Sequence, residues 1–297
     1  MKKELLNRLS VIGLLYCAIV LATHYIITKQ LSASIDAGTL TAYRFVTAAI
    51  PLYVYITYKK KKPFENIKPG IVLGFFIWLV FILIGIGVRY VSATNTGFIS
   101  GLFFIFVPLV SYTFFKTPIK WIYLPIFILS STGLYFLTGG LSDIGIGSLL
   151  ILFSAIFTAV HVVLVGHFSK QGLDPAVLCF QQFLVVFILS MIYMLFTQGF
   201  HLTIPTASQL LPLLFLGIFP TFSVFFVQIL SLKHSSEMTA AIILSLQPGF
   251  SAFFSYWLGG ETFSAFQLLG GVLLFVSAVL FSYFKQKSDV ETVAMGV

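Results

Sequence analysis

The sequence predicts an all-α polytopic membrane protein: ten transmembrane helices in two inverted five-helix repeats, with N- and C-termini cytoplasmic. Three observations predict it. The first is composition. Of 297 residues, 59% are hydrophobic and 9% charged, and the mean hydropathy is +1.04. A soluble domain carries about 25% charged residues, so this chain cannot cover a water-facing surface. The second is the length of the apolar runs, which exceed the roughly 18 residues that a spanning helix needs. The short alternating segments of an outer-membrane barrel are absent, and a helix bonds all of its own backbone within lipid. The third is an unusual helix that occurs twice. Ser235–Glu261 reads SSEMTAAIILSLQPGFSAFFSYWLGGE, and Ser92–Thr117 reads SATNTGFISGLFFIFVPLVSYTFFKT. Each has a polar entry and an apolar run with a proline, Pro248 or Pro108, near its middle.

The predicted helices follow in order. The first covers about 9–31 after Lys2, Lys3 and Arg8. Leu31-Ser32-Ala33-Ser34 superficially resembles a signal-peptidase site, but the apolar segment is too long for a signal peptide and further spans follow, so it reads as a retained helix. The second covers 37–58 and is stopped by Lys59–Lys62. The third covers 69–89, the fourth 93–115 and the fifth 119–138. Residues 1–138 form the first repeat, and 139–146, including Gly139-Gly140-Leu141-Ser142-Asp143, connect it to the second. The sixth helix covers 147–168, the seventh 174–197, the eighth 209–230, the ninth 237–258 and the tenth 263–284. These make the second repeat, 147–284. Residues 285–297 form a polar cytoplasmic tail, read as disordered.

Charge orients the chain. In a soluble protein a net charge of +8 would point to nucleic acid; here the basic residues lie in short loops as topology signals. Cytoplasmic termini place Lys2, Lys3, Arg8, Lys59–Lys62, Lys68, Lys116, Lys120, Lys170, Lys233, Lys285 and Lys287 on the cytoplasmic side, as the positive-inside rule requires. The exceptions are Lys29, Arg44 and Arg89, read as an outer basic cluster. Charges within a span are costly and are candidates for function.

An odd number of helices per half inverts the second copy, and inverted repeats bind substrate near the midplane where the halves meet. The repeat extends beyond the proline helices. Asp36 to Phe45 echoes Asp174 to Phe183, and His24 and His161 precede the two aspartates at nearly the same distance.

Many chemistries find no support. Cys17 and Cys179 lie in apolar runs and behave as small apolar residues. No metal-ligand spacing, phosphate loop, dinucleotide fingerprint or nucleophile elbow occurs, so neither cofactor nor metal is expected. An intramembrane enzyme would have only His24 and His161 as bases, with no paired carboxylate. A sensor or scaffold would normally bring a soluble output domain.

The stretch Arg89-Tyr90-Val91-Ser92-Ala93-Thr94-Asn95-Thr96-Gly97-Phe98-Ile99-Ser100-Gly101-Leu102, ending at Pro108, resembles the first-half signature of EamA-type members of the drug/metabolite transporter superfamily. Thr239 to Pro248, followed by Leu258-Gly259-Gly260-Glu261, resembles the second-half signature, and Ala159 to Gly166 also fits. The resemblance covers nearly the whole chain. It implies a ten-helix inverted-repeat carrier and, from the family's usual role, export. It names no substrate. One departure is visible: the family usually has Glu where this chain has Gln247, so this position can bind a substrate but cannot itself carry a proton.

Helical spacing selects the candidate substrate-binding residues: His24, Tyr25, Trp78, Asn95, Ser100, His161, Gln228, Ser245 and Gln247. Each also has a structural reading. Serines in membrane helices bond their own backbone; the histidines are either packing groups or ligands for substrate and proton. Pro108 and Pro248 either only kink their helices or also free carbonyls for substrate. Gly97 and Gly101 form a packing motif. Arg44 either pairs with Asp36 or binds an anionic group, and Arg89 either snorkels to the interface or attracts substrate.

None of the nine acidic residues lies deep in a predicted helix. A carrier of lipophilic cations needs such a counter-charge. The expected function is therefore a secondary active exporter of small metabolites, amino-acid-like or anionic and zwitterionic, working by alternating access in a bacterial inner membrane. The alternative is a multidrug or cationic-compound efflux carrier. Expected partners are the lipid bilayer, a small-molecule substrate and a coupling proton or ion, without nucleic acid, in a monomer or homodimer.

Overall fold

A computed structural model describes residues 2–117, 124–137, 145–199, 204–260 and 262–294. The loop 139–143, the first residues of the predicted fifth helix with Lys120, Glu261 and the last three residues lie outside the described residues. The helices are α1 (Lys2–Ser32), α2 (Ala37–Tyr58), α3 (Ile67–Gly87), α4 (Ala93–Gly101), α5 (Phe103–Phe115), α6 (Leu124–Leu137), α7 (Ile146–Ser169), α8 (Pro175–Gln198), α9 (Ala207–Gly217), α10 (Val224–His234), α11 (Glu237–Leu244), α12 (Gln247–Gly259) and α13 (Ala265–Ala294). A π-helical turn, Ile218–Ser223, joins α9 to α10.

Seven described stretches are long and apolar enough to cross a membrane: Leu5–Ser32, Ile67–Gly87, Ala93–Phe115, Ile146–Ser169, Pro175–Thr197, Ala207–His234 and Glu237–Leu258. Shorter apolar stretches lie within α6 and α13. Large apolar side chains such as Phe196, Leu211, Trp257 and Phe266 are exposed on the outside, a surface that only lipid can cover. The chain is an integral membrane protein.

Local chemistry sets the helix starts. Asp36 accepts from Thr39 N at 2.9 Å, and Asp174 accepts from Ala176 N and Val177 N at 3.0 and 3.2 Å. Ser92 and Ser236 cap α4 and α11 through Asn95 N and Thr239 N. Each supplies an acceptor to a first-turn N–H that has no partner within its helix. The ends are equally specific: Gly199 and Gly260 follow α8 and α12 at φ +59° and +65°, a left-handed conformation that glycine adopts without strain.

The predicted fourth and ninth helices are each broken in two. The break after α11 falls at Ser245 and Leu246, because Pro248 offers no N–H to Leu244 and its ring crowds that carbonyl. The break between α4 and α5 falls at Leu102, whereas Pro108 sits within a continuous α5. The break thus falls six residues before Pro108, which lies inside α5. The predicted tail also differs: α13 continues to Ala294, since Lys, Gln, Glu and Ala all support a helix once it has left the apolar run.

Packing depends on small residues. Gly101 lies against the Pro248 ring and Gly97 against Ser251, so α4 runs antiparallel to α12 with the two breaks side by side. α2 packs on α8, α3 on α7 and α8, α1 on α10 and α12, and α6 on α13. At the centre, buried Phe45 meets Phe81, Phe183 and Phe225 edge-on at 5.0, 5.4 and 6.4 Å, an arrangement aromatic rings favour.

Candidate functional site

The buried polar residues gather in two groups beside this aromatic centre. The first joins α1, α2, the π turn and α12. Arg44 is 2% exposed. Its Nε donates to Thr221 Oγ1 at 2.5 Å, one terminal nitrogen donates to His24 Nδ1 at 3.4 Å, and the other donates to the Pro220 carbonyl at 3.4 Å. The guanidinium also lies 4.2 Å from the Phe81 ring centre, within cation–π range. Since arginine only donates, His24 Nδ1 accepts and its proton sits on Nε2.

The π turn explains how helix residues can serve this group. Thr221 donates to the Leu216 carbonyl at 2.7 Å, five residues back, while its oxygen accepts from Arg44. The widened turn leaves the Pro220 carbonyl for Arg44, and such turns recur at functional sites. Gly217 lets the same segment approach α2 closely at Thr47 and the Arg44 carbonyl.

The His24 ring lies against Tyr25, tilted by 39° with centroids 3.9 Å apart, and the Tyr25 hydroxyl accepts from Gln247 Nε2 at 2.8 Å. This carries the network to the α11–α12 break. On the same helices lie buried polar atoms without a hydrogen-bond partner among the described residues, Thr28 Oγ1, Asn95 Oδ1, Ser251 Oγ and Ser255 Oγ, while Ser100 turns its hydroxyl to Tyr25. Buried polar atoms normally have partners, so a concentration of orphans along α1, α4 and α12 marks a place built for something else.

The second group lies on α7 and α8. His161 Nε2 donates to Gln182 Oε1 at 3.0 Å, and Gln182 Nε2 reaches Cys179 Sγ at 3.8 Å. The His161 ring meets Phe225 edge-on at 5.6 Å.

The fold thus brings His24, Tyr25 and Gln247 together directly, with Asn95 and Ser100 on the neighbouring α4. Gln228 is buried on α10. Ser245 donates to the Ile242 carbonyl at 2.6 Å, its own helix. Trp78 stands apart, near Phe75 and Tyr193, with a buried and unpartnered Nε1. The outer basic residues divide. Lys29 donates to the Val88 and Val91 carbonyls at 2.8 and 2.5 Å, and Arg89 donates to the Ile35 carbonyl at 3.0 Å. Arg44 is not with them but in the buried network, and it does not pair with Asp36, which caps α2 two turns away. Sequence reasoning missed Thr221 and Pro220 as partners of Arg44, and Gln182 as the partner of His161. A proline followed by a threonine deep in an apolar helix was the available signal for the first.

At the ends of the helices, polar contacts tie loops together. Lys61 pairs with Asp174 at 2.5 Å, and Gln181 donates to the Pro63 and Glu65 carbonyls. Lys170 pairs with Glu237 at 2.8 Å. At the opposite end, Gln209 donates to Ser34 Oγ at 2.7 Å. Among the described residues no cluster of His, Cys, Asp and Glu could hold a metal.

The EamA-like transporter family matches residues 8–139 and 145–283. An uncharacterized transporter of Archaeoglobus fulgidus is 27% identical over 272 residues, covering 91% of this chain and 85% of that protein. One crystal structure shares the fold with a TM-score of 0.72 at 15% identity, covering 96% of this chain and 98% of its own. A polytopic helical bundle, broken helices carrying the paired signatures and a family match along nearly the whole length lead to one assignment: the chain belongs to the EamA-like transporter family and is a membrane transporter.

Proposed function

We propose that this transporter is a secondary active exporter of small metabolites, amino-acid-like or otherwise anionic or zwitterionic, in a bacterial inner membrane. Ten spanning helices form two inverted repeats, residues 1–138 and 147–284, with both termini cytoplasmic, and the repeats rock against each other in alternating access. The recurrence of landmarks supports the repeat. Asp36 and Asp174 cap α2 and α8, and Ser92 and Ser236 cap α4 and α11. Contacts recur in the same sense: α3 packs on α7 as α1 packs on α10, and α3 packs on α8 as α2 packs on α9.

The observation that carries the reading is the meeting of two broken helices beside the Tyr25–Gln247 bond, with unpartnered polar atoms, Asn95 Oδ1 and Ser251 Oγ, on both helices. Broken helices near the midplane supply polar groups to a solute where a continuous helix would not. Export rests on the family's usual role. Lys29 and Arg89 tie the outer loops together and serve the outer gate; Lys61, Lys170, Asp174 and Glu237 serve the inner one.

The test is solute counterflow in proteoliposomes. Tyr25→Phe or Gln247→Leu impairs counterflow while the protein remains folded; full transport in both variants overturns the site assignment. A ligand panel read by thermal shift checks the solute class. Stabilisation by amino acids or organic anions supports the reading, and stabilisation by lipophilic cations alone favours a cationic-compound efflux carrier.

A further inference from the structure

Arg44 is a full positive charge in the interior of a spanning bundle. Arginine stays ionised in proteins, and a charge at that depth is retained only where something pairs with it. The usual partner is a carboxylate. Among the described residues none lies within ion-pair distance of Arg44: the ion pairs found there are Lys61–Asp174 and Lys170–Glu237. Thr221, His24, the Pro220 carbonyl and the Phe81 ring supply only neutral dipoles and a ring face.

Those acceptors occupy three of the five guanidinium N–H groups, leaving one on each terminal nitrogen. The occupied ones hold the group in place from three elements, α1, α2 and the π turn. A residue whose only duty was to link helices would more cheaply be neutral. A guanidinium fixed by neutral groups, with donors to spare, is instead a site for an anion, and planar carboxylates suit it best.

Two further features point the same way. Ser251, 1% exposed, has a hydroxyl without a partner near Tyr25, and Ser100, 6% exposed, turns its hydroxyl to Tyr25 itself. Ser251 and Tyr25 both lie against Gly97, so α1, α4 and α12 converge there. His24, tilted against Tyr25 and bonded to Arg44, bridges the cationic group and this hydroxyl-rich seam.

We propose that Arg44 is the receptor for a carboxylate of the transported solute, and that the Tyr25–Gln247–Ser251 seam receives a hydrogen-bonding part of the same molecule. The inference rests on the transport reading and sharpens it. The solute is a small carboxylic acid with a polar substituent, and the carrier discriminates acids from their uncharged amides. It also explains why the spans need no buried carboxylate of their own, since the solute brings the counter-charge.

The experiment measures binding of acetate, lactate, succinate, glutamate and their amides to the purified full-length protein in nanodiscs, for wild type, Arg44→Gln and Arg44→Lys. Wild type binds at least one acid and binds the matching amide more weakly, by about ten- to a hundredfold. Arg44→Gln loses that preference. Arg44→Lys keeps the charge but not the fork, so its acid affinity falls while some preference over the amide remains; this variant decides the matter if the glutamine form does not fold. Binding no acid, binding acid and amide equally, or full acid preference in the folded Arg44 variants each overturns the proposal. Counterflow separates it from the broader reading. Acid counterflow at the wild-type rate in Arg44→Gln overturns the carboxylate receptor and leaves the transporter reading standing. Counterflow of lipophilic cations alone overturns both.

Discussion

Gln247 Nε2 donates to the Tyr25 hydroxyl at 2.8 Å, joining the first helix to the first turn of α12 immediately after the helix break. Both side chains are buried, at 6% and 3% exposure. Tyr25→Phe leaves the Gln247 amide unpaired and costs about 1–3 kcal/mol. Combining it with Gln247→Leu removes the orphaned amide as well and recovers part of that loss. Unfolding of the single and double variants in detergent checks this coupling. Transport stays impaired in the double variant, because the polar lining is gone; counterflow at the wild-type rate there would show the pair to be purely structural.

The crossing of α4 and α12 depends on glycine at position 101. A side chain there meets the Pro248 ring, and a proline ring cannot rotate aside. Gly101→Val therefore forces the two broken helices apart and destabilises the protein by about 1–3 kcal/mol. Gly145→Ala, where a Cβ meets nothing, is the matched control and shifts the melting temperature little. Equal melting temperatures for the two variants would refute this account of the crossing.

The Lys61–Asp174 pair makes a prediction in pH. The Asp174 hydrogen bond raises the Lys61 ammonium above its ordinary value of 10.5. A raised pKa in the folded state means that the stabilisation is complete below the unfolded value and disappears as pH rises through the folded one. The pair is partly exposed, at 30% and 35%, so its contribution is roughly 0–1 kcal/mol. The stability difference between wild type and Lys61→Gln should be constant around neutral pH and shrink in strong alkali. A difference that persists unchanged into strong alkali would assign it to packing of the lysine stem.

Apolar runs and their polar boundaries made much of the helical plan legible. The predicted starts at 37, 93 and 237 coincide with α2, α4 and α11, because the apolar runs begin where Asp36, Ser92 and Ser236 cap the helices. The helix break was legible at Pro248, where the missing N–H acts within one turn. It was not legible at Leu102, which carries no breaker and lies where Gly101 presses against the neighbouring proline. The π turn was equally hidden, since an inserted residue in a helix leaves the hydrophobic pattern nearly intact. Of the candidate residues, His24, Tyr25 and Gln247 meet; Ser245 turns to its own backbone, and Trp78 stands apart.

Composition alone determined that this chain lives in a membrane, because lipid imposes one rule on every residue of a span. The paired signatures, local strings of residues, placed it in its family. Tertiary structure decided where the charges went. Arg44 and Asp36 sit on the same helix eight residues apart, about 12 Å along its axis, and the sequence offered them as partners. Only the packing of α1, α2 and the π turn shows Arg44 held by Thr221, Pro220 and His24 instead. A hydrogen bond between residues 177 positions apart depends on how whole helices dock, and no local pattern records it.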